Sequence, residues 1–570
     1  LVQTEASLAC FDRALTLNPQ HETALFNRAE ALRFLGDHAE ALATLREGVR
    51  RFAANPGWVQ RLWWAERQVC APEVSTDARQ SLAREQEVAQ AMLGAVQAQA
   101  DSAGAPVWEP DPFAALLLGL PETQQLALAR LRAQREALSV AHVRREGEPP
   151  CVQRPRRRVG WLSADFHDHA TLYLLLEVFE QMDSAHFEQV FYSFGPDFED
   201  GSRQRLRRCG TYVDIATLGA VEAAQRIAND GIDILIDLKG YTAFARPAIM
   251  ALRPAPVQLQ WLGYPGSMGA DWIDWIVADA QVLPGADAQH GAAGYSERVL
   301  YLPHTYQPNG RVLWDEMAVL SAPERARARQ AAGLPAQALV LANFNSPYKT
   351  DAQSWDIWMH LLREVPQAVL WLLADHPLAQ ANLRAAAQAA GVNPARVVLA
   401  PKLPRQAHLM RLRLADLALD PLGMGGHTTT SDALRMGLPV LTVAAGTFGR
   451  RVAASLLHAA GMADAVLPDP ASLLAVLRDW ARDEKLRKGL QMRADLARMT
   501  TPLFDPQVFA RDWQTALDAV WQHKLQSDGR RCLDLRAAHA PAWAKDVAQA
   551  LEKPVAAVVQ QAKTWVEADL

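Results

Sequence analysis

The residues best suited to chemistry lie between Leu419 and Leu434, which reads Leu419-Asp420-Pro421-Leu422-Gly423-Met424-Gly425-Gly426-His427-Thr428-Thr429-Thr430-Ser431-Asp432-Ala433-Leu434. The pattern is a strand end, a glycine-rich turn and a helix start. Glycines let a ligand approach the main chain closely. The first helical turn offers unpaired N–H groups and a partial positive charge, a combination suited to phosphate. Thr428 and Thr429 add hydroxyl donors, and Asp432 is placed to accept from ribose hydroxyls. The same residues also fit simple capping by Thr429 or Ser431. A second segment, Asn343-Phe344-Asn345-Ser346-Pro347-Tyr348-Lys349, leaves a predicted strand and delivers Lys349 to the same carboxyl edge, either to neutralise a leaving diphosphate or simply as an exposed lysine. A third, Ser163-Ala164-Asp165-Phe166-His167-Asp168-His169, follows another predicted strand. His167 and His169 have the spacing of a metal pair, but no third ligand is suggested nearby. His169 reads better as a substrate-orienting or proton-handling group. The chain contains no Asp-x-Asp pair to bridge a metal to a nucleotide diphosphate. Neutralisation by Lys349 and a helix N-terminus is therefore expected, with no metal and no cofactor.

These segments need strands to position them. Arg158 to Leu162, Gln189 to Ser193, Ile232 to Ile236, Val257 to Trp261 and Trp275 to Ala278 read as one series. Leu339 to Asn343, Ala368 to Leu373, Arg396 to Leu399, Leu417 to Leu419 and Val440 to Val443 read as another. Short apolar runs alternating with amphipathic helices imply two parallel, doubly wound α/β lobes, which bind ligands outside the carboxyl ends of their strands. Ahead of them lies a helical repeat. Ser7, Phe11, Ala14 and Pro19 recur 34 residues later as Ala41, Leu45, Gly48 and Ala53, the tetratricopeptide period. The register fades after about residue 60, although the sequence stays helical to about Val143.

Composition narrows the class. The 570 residues carry a net charge of −5, so nothing electrostatic favours nucleic acid. The run Arg154, Arg156, Arg157, Arg158 reads as a solvated linker before a strand. Five scattered cysteines with no C-x-x-C pair suggest neither a disulfide framework nor a zinc site. No apolar run approaches the roughly 18 residues of a membrane span. A cytoplasmic location is expected. The chain starts without Met, inside the second helix of a repeat, so further repeats are expected upstream.

Taken together the motifs resemble the O-linked N-acetylglucosamine transferases, in which tetratricopeptide repeats precede a two-lobed GT-B catalytic region. The resemblance covers about residues 1 to 522. It is carried by Gly240-Tyr241-Thr242, Ala251-Leu252-Arg253-Pro254-Ala255-Pro256-Val257-Gln258, Trp261-Leu262-Gly263-Tyr264-Pro265-Gly266, Leu302-Pro303-His304-Thr305, Tyr348-Lys349, Gly426-His427-Thr428-Thr429 and Arg450-Arg451-Val452-Ala453-Ala454-Ser455.

The resemblance implies inverting transfer of N-acetylglucosamine from UDP-GlcNAc to Ser or Thr hydroxyls of intracellular proteins recruited along the repeat groove. It implies that Lys349, Thr428 and Thr429 hold the diphosphate, that His427 and Asp432 meet the ribose, that Arg405, His408 and Arg411 surround the nucleoside, and that Tyr348 and Gly426 also belong to the UDP site. His169, with Gly263, Tyr264 and Pro265, would line the sugar and acceptor cleft, and Asp230 matches a carboxylate position considered for the general base.

The sequence departs from the animal enzymes at Ser346-Pro347, Arg405 and Asp233, and the short spacer between lobes looks like a bacterial relative. Plant SPINDLY proteins, which use GDP-fucose, resemble the chain too. A nucleotide-binding scaffold with little turnover and a two-lobed sugar-nucleotide epimerase are the other readings. The expected domains are repeats over 1–150, an N-terminal lobe over 151–310, a spacer over 311–330, a nucleotide-binding lobe over 331–500, a closing helix over 501–524 and a helical tail over 525–570.

Overall fold

The computed structural model describes the chain except residues 1, 102–107, 145, 146, 148, 198, 199, 314–319, 445, 527, 528 and 537–570. It comprises two compact units. One holds Leu1–Arg132, Leu320–Ala415 and Leu419–Gly426; the other holds Ala133–Val319, Asp416–Ala418 and His427–Leu570. The expected fold class, helical repeats followed by two parallel α/β lobes, is the one observed.

In the first unit the helices Val2–Leu17, Glu22–Leu35, His38–Arg51 and Gly57–Gln68 follow one another through short turns. Gly36, at φ 84°, closes the second of them, and the Asp37 carboxylate caps the third by accepting from the Glu40 amide. The small residue at Gly48 has a steric reason. A Cβ there would lie 2.1 Å from the Trp58 ring, which also meets Phe26 and Phe52 at 5.5 and 5.8 Å. Beyond Gln68 the repeat gives way to one turn, Pro72–Ser75, and a 24-residue helix, Ala78–Asp101.

The strands are β1 Arg157–Ser163, β2 Phe187–Ser193, β3 Thr211–Asp214, β4 Ile234–Asp237, β5 Val257–Gln260, β6 Trp275–Ala278, β7 Arg298–Tyr301, β8 Leu339–Asn343, β9 Ala368–Leu373, β10 Val397–Ala400, β11 Leu417–Leu419, β12 Val440–Val443, β13 Val466–Leu467 and β14 Cys532–Asp534. The first sheet runs β14-β7-β6-β5-β4-β1-β2-β3 and the second β10-β9-β8-β11-β12-β13. Each has its first strands in the middle and reverses direction of growth there, the doubly wound order. In the first sheet β1 pairs in parallel with β2 and β4, with Leu162 opposite Tyr192 and Asp237. Its central strands are buried on both faces, which is why they read as nearly continuous apolar runs.

Several features differ from expectation, among them the short strands β7 and β13, which the expected series lacks. The edge strand β3 is short and partly exposed, so its apolar signal is weak. The spacer contains the helix Ala322–Ala331. The tail expected to be helical carries β14 instead, parallel to β7 with Cys532 opposite Val299; its residues 537–570 lie outside the described residues.

The closing helix, Pro506–Gln526, packs on the first sheet through tryptophan. Trp513 stacks on Trp261 at 4.0 Å and meets Trp161 of β1 at 6.0 Å, all three side chains being fully buried. Trp513→Ala is expected to destabilise the second unit by ~3–5 kcal/mol, since truncating a buried aromatic leaves a cavity. A lowered urea midpoint in fluorescence-monitored unfolding would report it.

Candidate functional site

Lys349 is the centre of the first unit's share of the site. It ends the short helical turn Pro347–Lys349, just after β8. Its side chain is buried, and Nζ donates to the Gly425 carbonyl at 2.7 Å. Burial pushes its pKa down from 10.5 to about 8, opposed by the nearby Asp420 carboxylate. Asp420 itself accepts from the Gly426 amide at 2.5 Å. Next along the chain, Asp351 accepts from the Gly423 amide at 2.9 Å and from the Ser354 hydroxyl, which accepts from the Leu422 amide. The lysine loop and the glycine-rich turn are thereby tied together at two points. Asn343, at the end of β8, keeps its side-chain amide nitrogen buried without a hydrogen-bond partner among the described residues.

The expected nucleoside residues divide. Arg411 lies with its guanidinium 4.1 Å from the Phe344 ring centroid and donates to the Pro401 carbonyl and to His408 Nδ1. Burial, with Arg411 and Arg405 nearby, pulls His408 down to about 4. His408 is therefore a neutral acceptor at pH 7 rather than a charge for an anion. Arg405 is the first residue of the helix Arg405–Leu412. Tyr348 departs from its expected place beside the nucleotide. Its ring packs against Trp64 and Phe113 of the helical region, at 5.2 and 6.4 Å.

In the second unit the helix Thr428–Arg435 begins two residues after Gly426. Thr428 and Thr429 are half-buried at its amino end, whereas Asp432 is buried. His427 Nε2 lies 3.2 Å from the Gly449 carbonyl. The inner face of the helix is held by Gln307, which donates to the Ser431 hydroxyl at 2.7 Å, and by Arg435, which donates to the Gly310 carbonyl.

His169 caps the helix Ala170–Gln181 at the carboxyl end of β1. Its Nδ1 accepts from the Thr171 amide at 3.2 Å, which puts the neutral ring's proton on Nε2. Asp165 Oδ2 is 3.6 Å from the same Nδ1, and Asp165 takes both its oxygens to the buried Lys239 ammonium at 3.0 and 3.2 Å. The sequence reading assigns no role to Asp165 or Lys239. The signals were there: Asp165 stands four residues before His169, and Lys239 directly precedes Gly240-Tyr241. Beside them Asp237, fully buried at the end of β4, is pushed up to about 6 by burial while accepting from the Lys239 and Gly240 amides.

One further expectation needs correction. Asp230 ends the helix Ala220–Asn229, where it accepts from Arg226 and from the Tyr192 hydroxyl. Its carbonyl accepts from Arg158, at the start of β1, so it lies at the amino end of the sheet, opposite the edge that carries His169. A base must reach the proton it removes, and this position does not. Tyr264 and Pro265 are buried; Tyr264 is 2% exposed and its ring meets Tyr241 at 5.5 Å. Gly263 is half-buried, and a Cβ on it would lie 2.2 Å from the Leu238 carbonyl. Among the described residues no set of three His, Cys, Asp or Glu side chains converges for a metal, and no helix is long and apolar enough to cross a membrane.

Two doubly wound parallel sheets, with a buried lysine and a glycine-rich turn at the strand ends of the second, define a protein of GT-B architecture. Residues 109–311 and 321–513 match glycosyl transferase family 41, and the chain belongs to that family. It is 31% identical over 373 residues to the probable UDP-N-acetylglucosamine–peptide N-acetylglucosaminyltransferase SEC of Arabidopsis thaliana, covering 64% of this chain and 37% of that protein. It is 25% identical over 525 residues to the UDP-N-acetylglucosamine–peptide N-acetylglucosaminyltransferase of Caenorhabditis elegans, covering 72% and 45%. The chain thus spans less than half the length of these relatives. A mutant of the Thermobaculum terrenum O-GlcNAc transferase superposes with a TM-score of 0.71 at 25% identity, over 92% of this chain and 95% of that one.

The lowered Lys349 pKa generates a pH test. A bound anion favours the charged ammonium, so binding drives its pKa back up and takes up a proton between about pH 8 and the ordinary lysine range. UDP affinity is expected to fall as pH rises above 8, with proton uptake visible by calorimetry in buffers of different ionisation enthalpy. Lys349→Met should remove that uptake.

Proposed function

We propose that this chain is an inverting, metal-independent glycosyltransferase that moves N-acetylglucosamine from UDP-GlcNAc to Ser or Thr hydroxyls of proteins. The observation that carries the reading is the Lys349 ammonium, buried at a strand end and held only 2.7 Å from a carbonyl of the glycine-rich turn that leads into a helix N-terminus. Such a charge is costly unless an anion meets it. The names of two family relatives support this donor: those from Arabidopsis and Caenorhabditis are both named for UDP-N-acetylglucosamine and peptide.

In this mechanism Lys349 and the amides and hydroxyls of Thr428 and Thr429 take the diphosphate. Gly426 lets it approach, while His427 and Asp432 serve the ribose, and Arg405, Arg411 and neutral His408 serve the base. The acceptor oxygen bonds to C1 from the face opposite UDP. The C1–O bond breaks with its electron pair passing to the β-phosphate, and the hydroxyl proton is released. Charge therefore builds on the leaving diphosphate, where a preorganised ammonium and helix N-terminus act with most effect. His169, with its proton on Nε2, orients sugar or acceptor oxygens as a donor. The Thr171 amide, donating to Nδ1, keeps the ring in that tautomer, while the Lys239 ammonium holds the Asp165 carboxylate beside it. The repeat helices recruit extended acceptor segments, and the expected setting is the cytoplasm of a bacterium.

Titration with UDP, GDP and their sugar conjugates, followed by transfer assays on a peptide library, tests the reading. UDP is expected to bind, and Lys349→Met to weaken it ~10–100-fold, the worth of a charge-assisted hydrogen bond. His169→Ala should leave UDP affinity unchanged and slow transfer by ~10²–10³-fold. A preference for GDP sinks the donor assignment, and UDP binding with no turnover on any acceptor sinks the transferase.

A further inference from the structure

The lysine loop is not held by its own lobe alone. The helix Gly57–Gln68 of the repeat region lies against the turn Pro347–Lys349 and contacts its main chain through carbonyl groups. Arg67, 1% exposed, donates from Nε to the Tyr348 carbonyl at 2.7 Å and from Nη2 to the Thr350 carbonyl at 3.4 Å. These are the carbonyls on either side of Lys349. The Cys70 thiol adds a contact to the Pro347 carbonyl at 3.6 Å. The Arg67 charge is met by Glu85 at 3.3 Å, from the helix Ala78–Asp101. On the outer side of the loop Trp64 and Phe113 enclose the Tyr348 ring.

A buried guanidinium is expensive, and general helix packing would be served as well by an aliphatic side chain. What a guanidinium alone supplies is a rigid fork of donors. Here the fork grips two peptide carbonyls that bracket one residue. The Tyr348 carbonyl lies in the peptide plane that carries the Lys349 nitrogen, and the Thr350 carbonyl holds the residue that follows, so the fork restrains the backbone on both sides of the Lys349 side chain and with it the direction of the ammonium.

We propose that Arg67 is a positioning residue for the transfer reaction, through which the repeat region sets the orientation of Lys349 toward the donor diphosphate. The repeat array in this chain thus has a second task beside any contact with acceptors: it completes the donor site. The inference rests on the reading of Lys349 as the diphosphate ligand.

The test is a double-mutant cycle on UDP affinity, measured by calorimetry with Arg67→Met, Lys349→Met and the double variant, each checked for folding by circular dichroism and thermal unfolding. Arg67→Met is expected to weaken UDP at least fivefold, and the double variant to bind no more weakly than Lys349→Met, because Arg67 acts through the lysine. Arg67→Lys, which keeps one donor, should recover part of the loss. A merely structural role predicts additive losses instead, and additivity overturns the proposal, as does unchanged UDP affinity in a folded Arg67→Met protein. Should Arg67→Met fail to fold, Trp64→Leu takes its place in the cycle, with the same non-additivity expected and the same two outcomes overturning it. If Lys349→Met binds UDP like the parent protein, the diphosphate reading itself fails and the inference falls with it.

Discussion

Placing an ammonium inside a protein costs more than almost any other side-chain choice, and the burial of Lys349 governs its surroundings. The Gly425 carbonyl must turn toward it, which fixes the path of the glycine-rich turn. That turn is held in place by the two carboxylates at its flanks, Asp420 on the Gly426 amide and Asp351 on the Gly423 amide. Asp351 also starts the helix Ala352–Glu364, so one side chain fixes both the exit from the lysine loop and the approach to the next helix. Glycine at 423 suits this closeness, since a Cβ would come within 3.2 Å of the Asp351 side chain and push it aside.

The first sheet solves a related problem with a different device. Lys239 and Asp165 are both buried, and each neutralises the other at the carboxyl ends of β4 and β1. Breaking either partner would strand a charge in a medium that cannot solvate it. The pair therefore acts as a clasp between two central strands, and His169 stands on its outer side. Asp237 nearby is held up to about 6 by its burial, although two main-chain amides and the Lys239 charge favour its carboxylate form.

Much of this was legible in the sequence. Long apolar strands, the glycine-rich turn and the 34-residue recurrence each leave a local pattern, and each lies where the pattern puts it. Lys349 was legible because it follows a strand by only a few residues, so the strand fixes its edge. What stayed hidden depended on partners distant in the chain. Tyr348 sits next to Lys349, but its ring is claimed by Trp64 and Phe113, more than two hundred residues earlier. Asp230 looked usable until the register of β1 and β4 placed it at the wrong end of the sheet. β3, β7, β13 and β14 were missed because each runs for only two to four residues, too short for an apolar rhythm. Asp165 and Lys239 form a site only when two strands lie side by side.

The return of the chain to its first sheet has a consequence for synthesis. Strands β1 to β7 leave the ribosome well before the helix Pro506–Gln526 and β14, yet these late segments complete the cover over Trp161 and Trp261 and pair the edge of β7. Domains generally fold as they emerge. Here the first α/β lobe to be translated is the last to be finished, and it carries an incompletely covered tryptophan face while more than two hundred further residues are made. A cell producing this protein has to shelter that face during elongation, so truncated or stalled chains are the form most prone to aggregate.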